Sequence, residues 1–422
     1  MPVVLGAIAD DFTGATDLAN NLVRAGMRTV QAIGIPDVNF DPGDADAIVV
    51  ALKSRNCLVP KAIDESLAAL DWLQVQGARQ IFFKYCSTFD STDKGNIGQV
   101  ADALLEALDD DFAVMCPAFP TTGRTVYQGY LFVGNRLLNE SGMENHPLNP
   151  MTDADLVRVL ARQSTGKVGL LDFATLQKGS AAAIDKIEGL RAAGCRYAIC
   201  DTLEDQHLAV IAAAIVEHRL VTGGSGIAQA LPQEYRRLGW LQPIADAGQL
   251  SRIEGPSLVV SGSCSKATLG QIEHFRSRHE TFALDPLLLA ENADLVEQAV
   301  IWARQRLGNQ PVLVYASAPP EQVREAQEKL GVECAGNLVE SALARIAQEL
   351  IAAGVRRLVV AGGETSGAVI SALGVTSLRI GHQIDPGVPW TETQVAGQTI
   401  AVALKSGNFG AEDFFSRSFQ VL

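Results

Sequence analysis

The sequence predicts an α/β protein of two domains, each a mostly parallel sheet flanked by helices. Three observations predict it. The 422 residues exceed what one ordinary hydrophobic core holds. Short apolar runs alternate with helix-like stretches from end to end, the pattern of strands joined by crossover helices. Between two such series lies the weakly periodic stretch 241–256, with Gln, Asp, Gly and Pro, which puts a boundary near residue 250. The domains are therefore expected at 1–250 and 251–422.

Residues 3–8 form a continuous apolar run, as a strand covered on both faces requires. Residues 13–25 read as a helix, with Leu18, Leu22 and Val23 on its apolar side and Gly26 as its stop. Further strands are expected at 47–52, 80–84, 112–116, 168–171, 196–200 and 220–222. Helices at 61–76, 154–163 and 181–193 lie between them. The second series has strands at 257–260, 311–315, 358–361 and 399–404, and an amphipathic helix at 338–353.

Composition narrows the function. With 48 acidic against 34 basic residues the formal charge is −14, and no basic stripe exists to replace phosphate counterions, so a nucleic-acid partner is not expected. Apolar residues at 47% and charged residues at 19% exclude intrinsic disorder. No apolar run approaches the ~18 residues of a membrane span. The first residues lack a basic leader and meet Asp10 and Asp11 at once, so no export signal is read and the cytoplasm is expected. The seven cysteines show no Cys-x-x-Cys and the six histidines no His-Glu-x-x-His, which argues against a disulfide framework and a histidine-based metal site. The oligomeric state stays open, a homo-oligomer included.

In an open parallel sheet, ligands bind beyond the carboxyl ends of the strands, and the candidate residues fall there. Ala9-Asp10-Asp11-Phe12-Thr13-Gly14 follows the first strand. Its paired carboxylates suit the hydroxyls of a polyol, although one of them is also a ready helix cap. The segment from Lys84 to Thr92, with Ser87, Asp90 and Ser91, offers a cation, hydroxyls and a carboxylate in one loop, the mixture a hydroxy acid needs; a polar turn is the plainer reading. Arg124 follows the strand at 112–116 and suits a carboxylate through a bidentate pair, though most loop arginines are merely solvated. His146 and the run Thr222-Gly223-Gly224-Ser225-Gly226 are weaker candidates of the same kind.

In the second series, Ser261-Gly262-Ser263-Cys264-Ser265, Gly362-Gly363-Glu364-Thr365-Ser366-Gly367 and Lys405-Ser406-Gly407 each follow a strand. Small residues let backbone amides approach phosphate oxygens. One such loop needs no explanation beyond a tight turn; three rich in hydroxyls fit a nucleotide better. Glu364 is awkward beside phosphate unless it points away or holds a magnesium-bound water.

These motifs together resemble the four-carbon acid sugar kinase family. The match is carried by Asp10-Asp11-Phe12-Thr13-Gly14-Ala15, the segment Lys84 to Asn96, Gly362-Gly363-Glu364-Thr365-Ser366-Gly367 and Lys405-Ser406-Gly407-Asn408-Phe409-Gly410, and it spans the chain. The stretches 116–129 and 146–152 are most similar to the branch acting on 3-oxo-tetronates. The resemblance implies an acid-sugar domain at 1–250, an ATP domain at 251–422 and transfer of the γ-phosphate to a terminal 4-hydroxyl; Mg2+ is expected as cofactor because phosphoryl transfer needs charge neutralisation. Their strand-end placement makes Asp10, Asp11, Lys84, Ser87, Asp90, Ser91 and Arg124 the candidate substrate contacts, with Asp11 or Asp90 orienting or deprotonating the hydroxyl. By motif position the resemblance implies nucleotide contacts for Ser261 or Ser263, for Gly362, Gly363, Glu364 and Thr365, and for Gly407.

D-Erythronate or D-threonate are the alternative substrates, although the Lys84–Thr92 segment departs from the Asp-Ser-Thr-Leu-Arg-Gly form of other branches. Two rivals from other classes are an NAD-dependent hydroxy-acid dehydrogenase and a two-lobed sugar-acid binding protein. The first lacks the Gly-x-Gly-x-x-Gly order, and the second lacks an export signal.

Overall fold

The structure is a computed structural model that describes residues 3–37, 40–89, 92–93, 95–146, 149–292, 294–308 and 310–422. The chain divides into two compact units, Met1–Ala247 and Gly248–Leu422.

The strands of the first unit are β1 (Leu5–Ala9), β2 (Thr29–Ile33), β3 (Ala47–Ala51), β4 (Gln80–Lys84), β5 (Ala113–Cys116), β6 (Arg124–Tyr127), β7 (Tyr130–Val133), β8 (Arg136–Leu137), β9 (Lys167–Leu171), β10 (Cys195–Cys200) and β11 (Leu220–Gly223). Eight of them form a parallel sheet in the order β2-β3-β1-β4-β11-β5-β10-β9. Every residue of β1, β3, β4 and β5 is buried, which is why these strands read as apolar runs, broken only by Gln80 and Lys84 at the ends of β4. The register sets Ala9 against both Ala51 and Lys84, and Gly223 against both Lys84 and Cys116. The carboxyl ends of five strands therefore line up, and the loops leaving them share one edge.

The helix Phe12–Arg24 starts at Asp11, whose side chain accepts the Gly14 amide, and it buries Leu18, Leu22 and Val23. The strands β6, β7 and β8 form a separate antiparallel sheet that the sequence reading did not contain. Its first turn places Gln128 and Gly129 at φ 52° and 79°, the left-handed pair of a tight hairpin turn. Arg124, expected in a loop, opens β6 instead.

The strands of the second unit are β12 (Ser257–Ser261), β13 (Thr281–Ala283), β14 (Val312–Tyr315), β15 (Arg357–Ala361), β16 (Ser377–Asp385), β17 (Val388–Val395) and β18 (Gln398–Lys405). They run in the order β13-β14-β12-β15-β18-β17-β16; the first five are parallel and β17 and β16 are antiparallel additions. The helix expected at 338–353 is observed as Val332–Ala352. Trp390 closes the core of this unit, buried, with its indole N–H donating to the Ser418 carbonyl at 2.9 Å. All seven cysteines are free. Among the described residues no helix is long and apolar enough to cross a membrane.

Candidate functional site

In the first unit the chemistry gathers at the carboxyl ends of β1, β3 and β4. The Asp10 amide donates to the Lys84 carbonyl at 3.0 Å, and the Asp10 carbonyl accepts the amides of Ser54 and Arg55 at 3.0 and 3.1 Å. Three strand-end loops are thus stitched together by backbone bonds. Arg55 grips the Asp10 carboxylate with two nitrogens, Nε at 2.9 Å and Nη2 at 2.8 Å, and Nη2 reaches Asp11 Oδ1 at 2.6 Å. Asn96 holds the Arg55 loop, its side-chain amide donating to the carbonyls of Ser54, Arg55 and Cys57. Lys84 is buried and donates to the Tyr85 carbonyl at 2.8 Å. Its ammonium lies against Gly14, where a Cβ would meet Nζ at 2.8 Å and Asp11 Oδ1 at 2.2 Å. Only glycine leaves room there for a cation and a carboxylate together.

Burial pushes the Asp11 carboxyl above its ordinary value, and Asp10 adds to the rise, while Arg55, Lys84 and the Gly14 amide hold it down. Burial works against the Arg55 charge, but Asp10 and Asp11 outweigh it and raise the guanidinium's pKa. An acid so balanced suits proton handling better than a solvated carboxylate would.

The structure brings Asp10, Asp11 and Lys84 together. Ser87 is half-buried against Gly224, its Cα 3.4 Å from where a Gly224 Cβ would stand. Asp90 and Ser91 lie outside the described residues. Arg124 donates from Nη1 to the Thr122 carbonyl at 2.5 Å, and its backbone pairs with Phe119. The glycines of Thr222-Gly223-Gly224-Ser225-Gly226 press on the carbonyls of Cys116, Pro117 and Ala118, which a Cβ would meet at 2.3–2.5 Å. Close backbone packing explains that run without a ligand. The residue the sequence reading missed is Arg55; the only signal for it was a cation just past an unbroken apolar strand.

In the second unit three loops converge beyond β12, β15 and β18. The amides of Gly262 and Ser263 donate to the Ala361 carbonyl, and the Gly362 amide donates to the Lys405 carbonyl. Gly362 has φ 126° and ψ 134°, open to glycine alone. Thr365 packs into the turn so tightly that a Cβ on Gly262 would meet its Oγ1 at 2.4 Å. The Gly407 carbonyl accepts from Ser265 Oγ at 2.6 Å and Thr268 Oγ1 at 2.9 Å, and a Gly407 Cβ would lie 2.6 Å from Ser263 Oγ.

A cavity of about 1370 Å3 opens beside these loops, lined among others by Ser263, Gly362, Gly363, Glu364 and Thr365. Of the two serines left open by the sequence, Ser263 is half-buried and lines the cavity. Ser261 is fully buried and shares a hydrogen bond with Ser317 at 2.8 Å, so it stands behind the cavity wall. Glu364 has a neighbour the sequence reading did not include, Glu340, also on the cavity. Burial first, then the Glu364 carboxylate, raises the Glu340 pKa.

A family model described as a sugar-binding N-terminal domain matches residues 5–231, and one described as a nucleotide-binding C-terminal domain matches residues 258–415. A 3-oxo-tetronate kinase of Burkholderia multivorans is 57% identical over 419 residues, covering 99% of this chain and 97% of the relative. The chain belongs to the four-carbon acid sugar kinase family. A 3-oxo-tetronate kinase of Cupriavidus necator is 55% identical, again over 99% of this chain and 97% of the relative. A crystal structure of a Haemophilus influenzae protein superposes with a TM-score of 0.89 at 44% identity, covering 98% of this chain and 99% of that one. Kinase membership implies ATP as the phosphate donor.

Proposed function

We propose that the chain is an ATP-dependent 3-oxo-tetronate kinase that moves the γ-phosphate to the terminal 4-hydroxyl. The observation that carries the reading is the meeting of three Gly- and Ser-rich loops at the carboxyl ends of adjacent parallel strands, beside a cavity, in the unit that matches a nucleotide-binding domain. The full-length kinase relatives support the acceptor. They also set aside erythronate, threonate and the hydroxy-acid dehydrogenase.

Phosphoryl transfer needs positioning and charge neutralisation more than covalent help from the protein. The amides of the Gly362 turn and the Ser263 hydroxyl hold the polyphosphate. Asp11 accepts the hydrogen bond of the 4-hydroxyl and takes its proton as the bond to phosphorus forms. Arg55 and Lys84 keep that carboxylate ionised and fixed in direction. The substrate's own carboxylate falls to Lys84 or Arg124, with Ser87 as a further polar partner. Asp90 stands as the alternative base, and Ser91 goes with it.

The neighbouring carboxylates Glu340 and Glu364 are hard oxygen donors, and Mg2+ takes one or two carboxylates alongside phosphate oxygens. That donor set fits, and bound Mg2+ would neutralise charge on the transferring phosphate. The reading places the enzyme in the cytoplasm, with ATP and the sugar acid. The test is ADP release from ATP with 3-oxo-tetronate, D-erythronate and D-threonate offered in turn. The proposal expects turnover with the 3-oxo acid; equal ADP release with and without it would end the proposal.

A further inference from the structure

We infer that Lys405 is the positioning cation of the nucleotide site, a buried charge that shapes the phosphate loops from behind and that bound ATP completes. This rests on the nucleotide reading above and goes beyond it. Lys405 is the last residue of β18 and is fully buried. Its ammonium donates to Thr268 Oγ1 at 3.0 Å, the Ser406 carbonyl at 3.2 Å and the Gly407 carbonyl at 2.9 Å. All three acceptors belong to the converging loops or to the helix that starts from them.

The Gly407 carbonyl is the hub of this arrangement. It receives Lys405, Ser265 and Thr268 at once, and Thr268 Oγ1 also lies 3.2 Å from Ser263 Oγ. Lys405 therefore sets where Gly407 and Ser263 stand. Removing it would let the third loop swing away from the other two.

Its partners are all neutral. The ionisable residues on the elements packed against it are Arg357 on β15, Glu392 on β17, Glu364 on the helix Gly363–Ala372, Lys266, Glu273, His274 and Arg276 on the helix Lys266–Arg276, and Arg417 on the helix Phe414–Arg417. Among the described residues no carboxylate makes an ion pair with Lys405: Glu392 accepts the Ser251 amide, and Asp385 and Asp413 pair with Arg417. A cation withdrawn from water without a counter-charge is costly, and hydrogen bonds to neutral acceptors offset only part of that cost. The Phe415 ring, 6.0 Å from Nζ, offsets a further part, and a polyphosphate at the Gly362 and Gly407 turns would supply the missing negative charge.

A proton linkage follows. Burial lowers the Lys405 ammonium to about 8 in the free protein. Phosphate charge beside it restores the protonated form, so ATP binding takes up a proton once the pH passes that value. Uptake should reach about half a proton at pH 8 and about nine-tenths at pH 9, and ATP affinity should fall about five-fold between them. ATP itself contributes nothing there, because its phosphates lose their last proton near pH 6–7.

The experiment titrates the full chain with ATP and Mg2+, without sugar acid, by calorimetry at pH 8 and 9 in two buffers of different ionisation heat. Wild type should show the uptake. K405R, which stays charged at both pH values, should bind ATP equally at each and take up no proton. K405M should bind at least ten-fold more weakly, with no pH dependence; if it fails to fold, K405R decides alone. Wild-type binding without uptake, or full uptake retained in K405R, overturns the role of Lys405 and leaves the kinase reading standing. Absence of ATP binding by wild type overturns that reading and this inference with it.

Discussion

Gly362→Ala is expected to damage nucleotide binding far more than the loss of a hydrogen atom suggests. At φ 126° and ψ 134° an alanine pays about 1–3 kcal/mol of backbone strain. Its Cβ would also stand 2.9 Å from Thr365 Oγ1 and 3.3 Å from the Ser263 amide nitrogen. The backbone cannot rotate away cheaply, because the Gly362 amide is bonded to the Lys405 carbonyl and its carbonyl to the Ser366 amide, both at 2.9 Å. The second unit holds 422 − 247 = 175 residues, a size at which 1 kcal/mol moves Tm by about 2–4 °C. The variant should therefore melt about 2–12 °C lower in that unit. KM for ATP should rise about ten-fold or more, as 1.4 kcal/mol of lost binding implies, while KM for the sugar acid stays put. Gly363→Ala is the internal control. It opens the following helix, and nothing stands within 4 Å of its Cβ, so it should gain about 0.4–1 kcal/mol. Melts and ATP-dependent initial rates on both variants check this. A Gly362→Ala protein with wild-type Tm and KM, or a Gly363→Ala protein that is the worse of the two, would refute the reasoning.

Asp11→Asn should keep the helix cap, since Asn caps as well as Asp, and lose at least a hundred-fold in kcat. Because the folded pKa of Asp11 is raised, its protonated form adds stability at low pH that is lost as pH rises through that value, so Asp11→Asn should melt no lower than wild type at pH 7. The same raised pKa predicts that kcat falls on the acid side as Asp11 protonates. Arg55→Met removes a charge that holds the pKa down, so a pH–rate profile should show this limb moved to higher pH. The variant should also cost about 3 kcal/mol in a denaturant melt, the low end for a broken buried pair because the Arg55 side chain keeps 21% exposure. Ser263→Ala should raise KM for ATP, whereas Ser261→Ala should lower Tm by orphaning the Ser317 hydroxyl and spare KM.

Much of this was legible in the sequence, for a physical reason. Strands such as Leu5–Ala9 and Ala113–Cys116 are buried on both faces and spell themselves as apolar runs. The meander β16–β17 did not, because Arg379, His382 and Gln383 interrupt the pattern where the strand is half-exposed. The hairpin β6–β7 hid behind Gln128-Gly129, a less common pair than Asn-Gly at such a turn. The three Gly- and Ser-rich loops of the second unit were legible because glycine and serine mark close backbone approach. Arg55 was not: its partner Asp10 lies 45 positions away, and nothing local separates it from a solvated arginine. Lys405 stood in a motif already singled out, but its depth is a property of the packed unit.

The most direct measurement is a crystal structure of the chain with bound ATP. The account predicts a triphosphate against Ser263, Gly362 to Thr365 and Gly407, with its charge over Lys405. Nucleotide density at the Asp10, Arg55 and Lys84 loops of the first unit, with the second-unit loops empty, would contradict it.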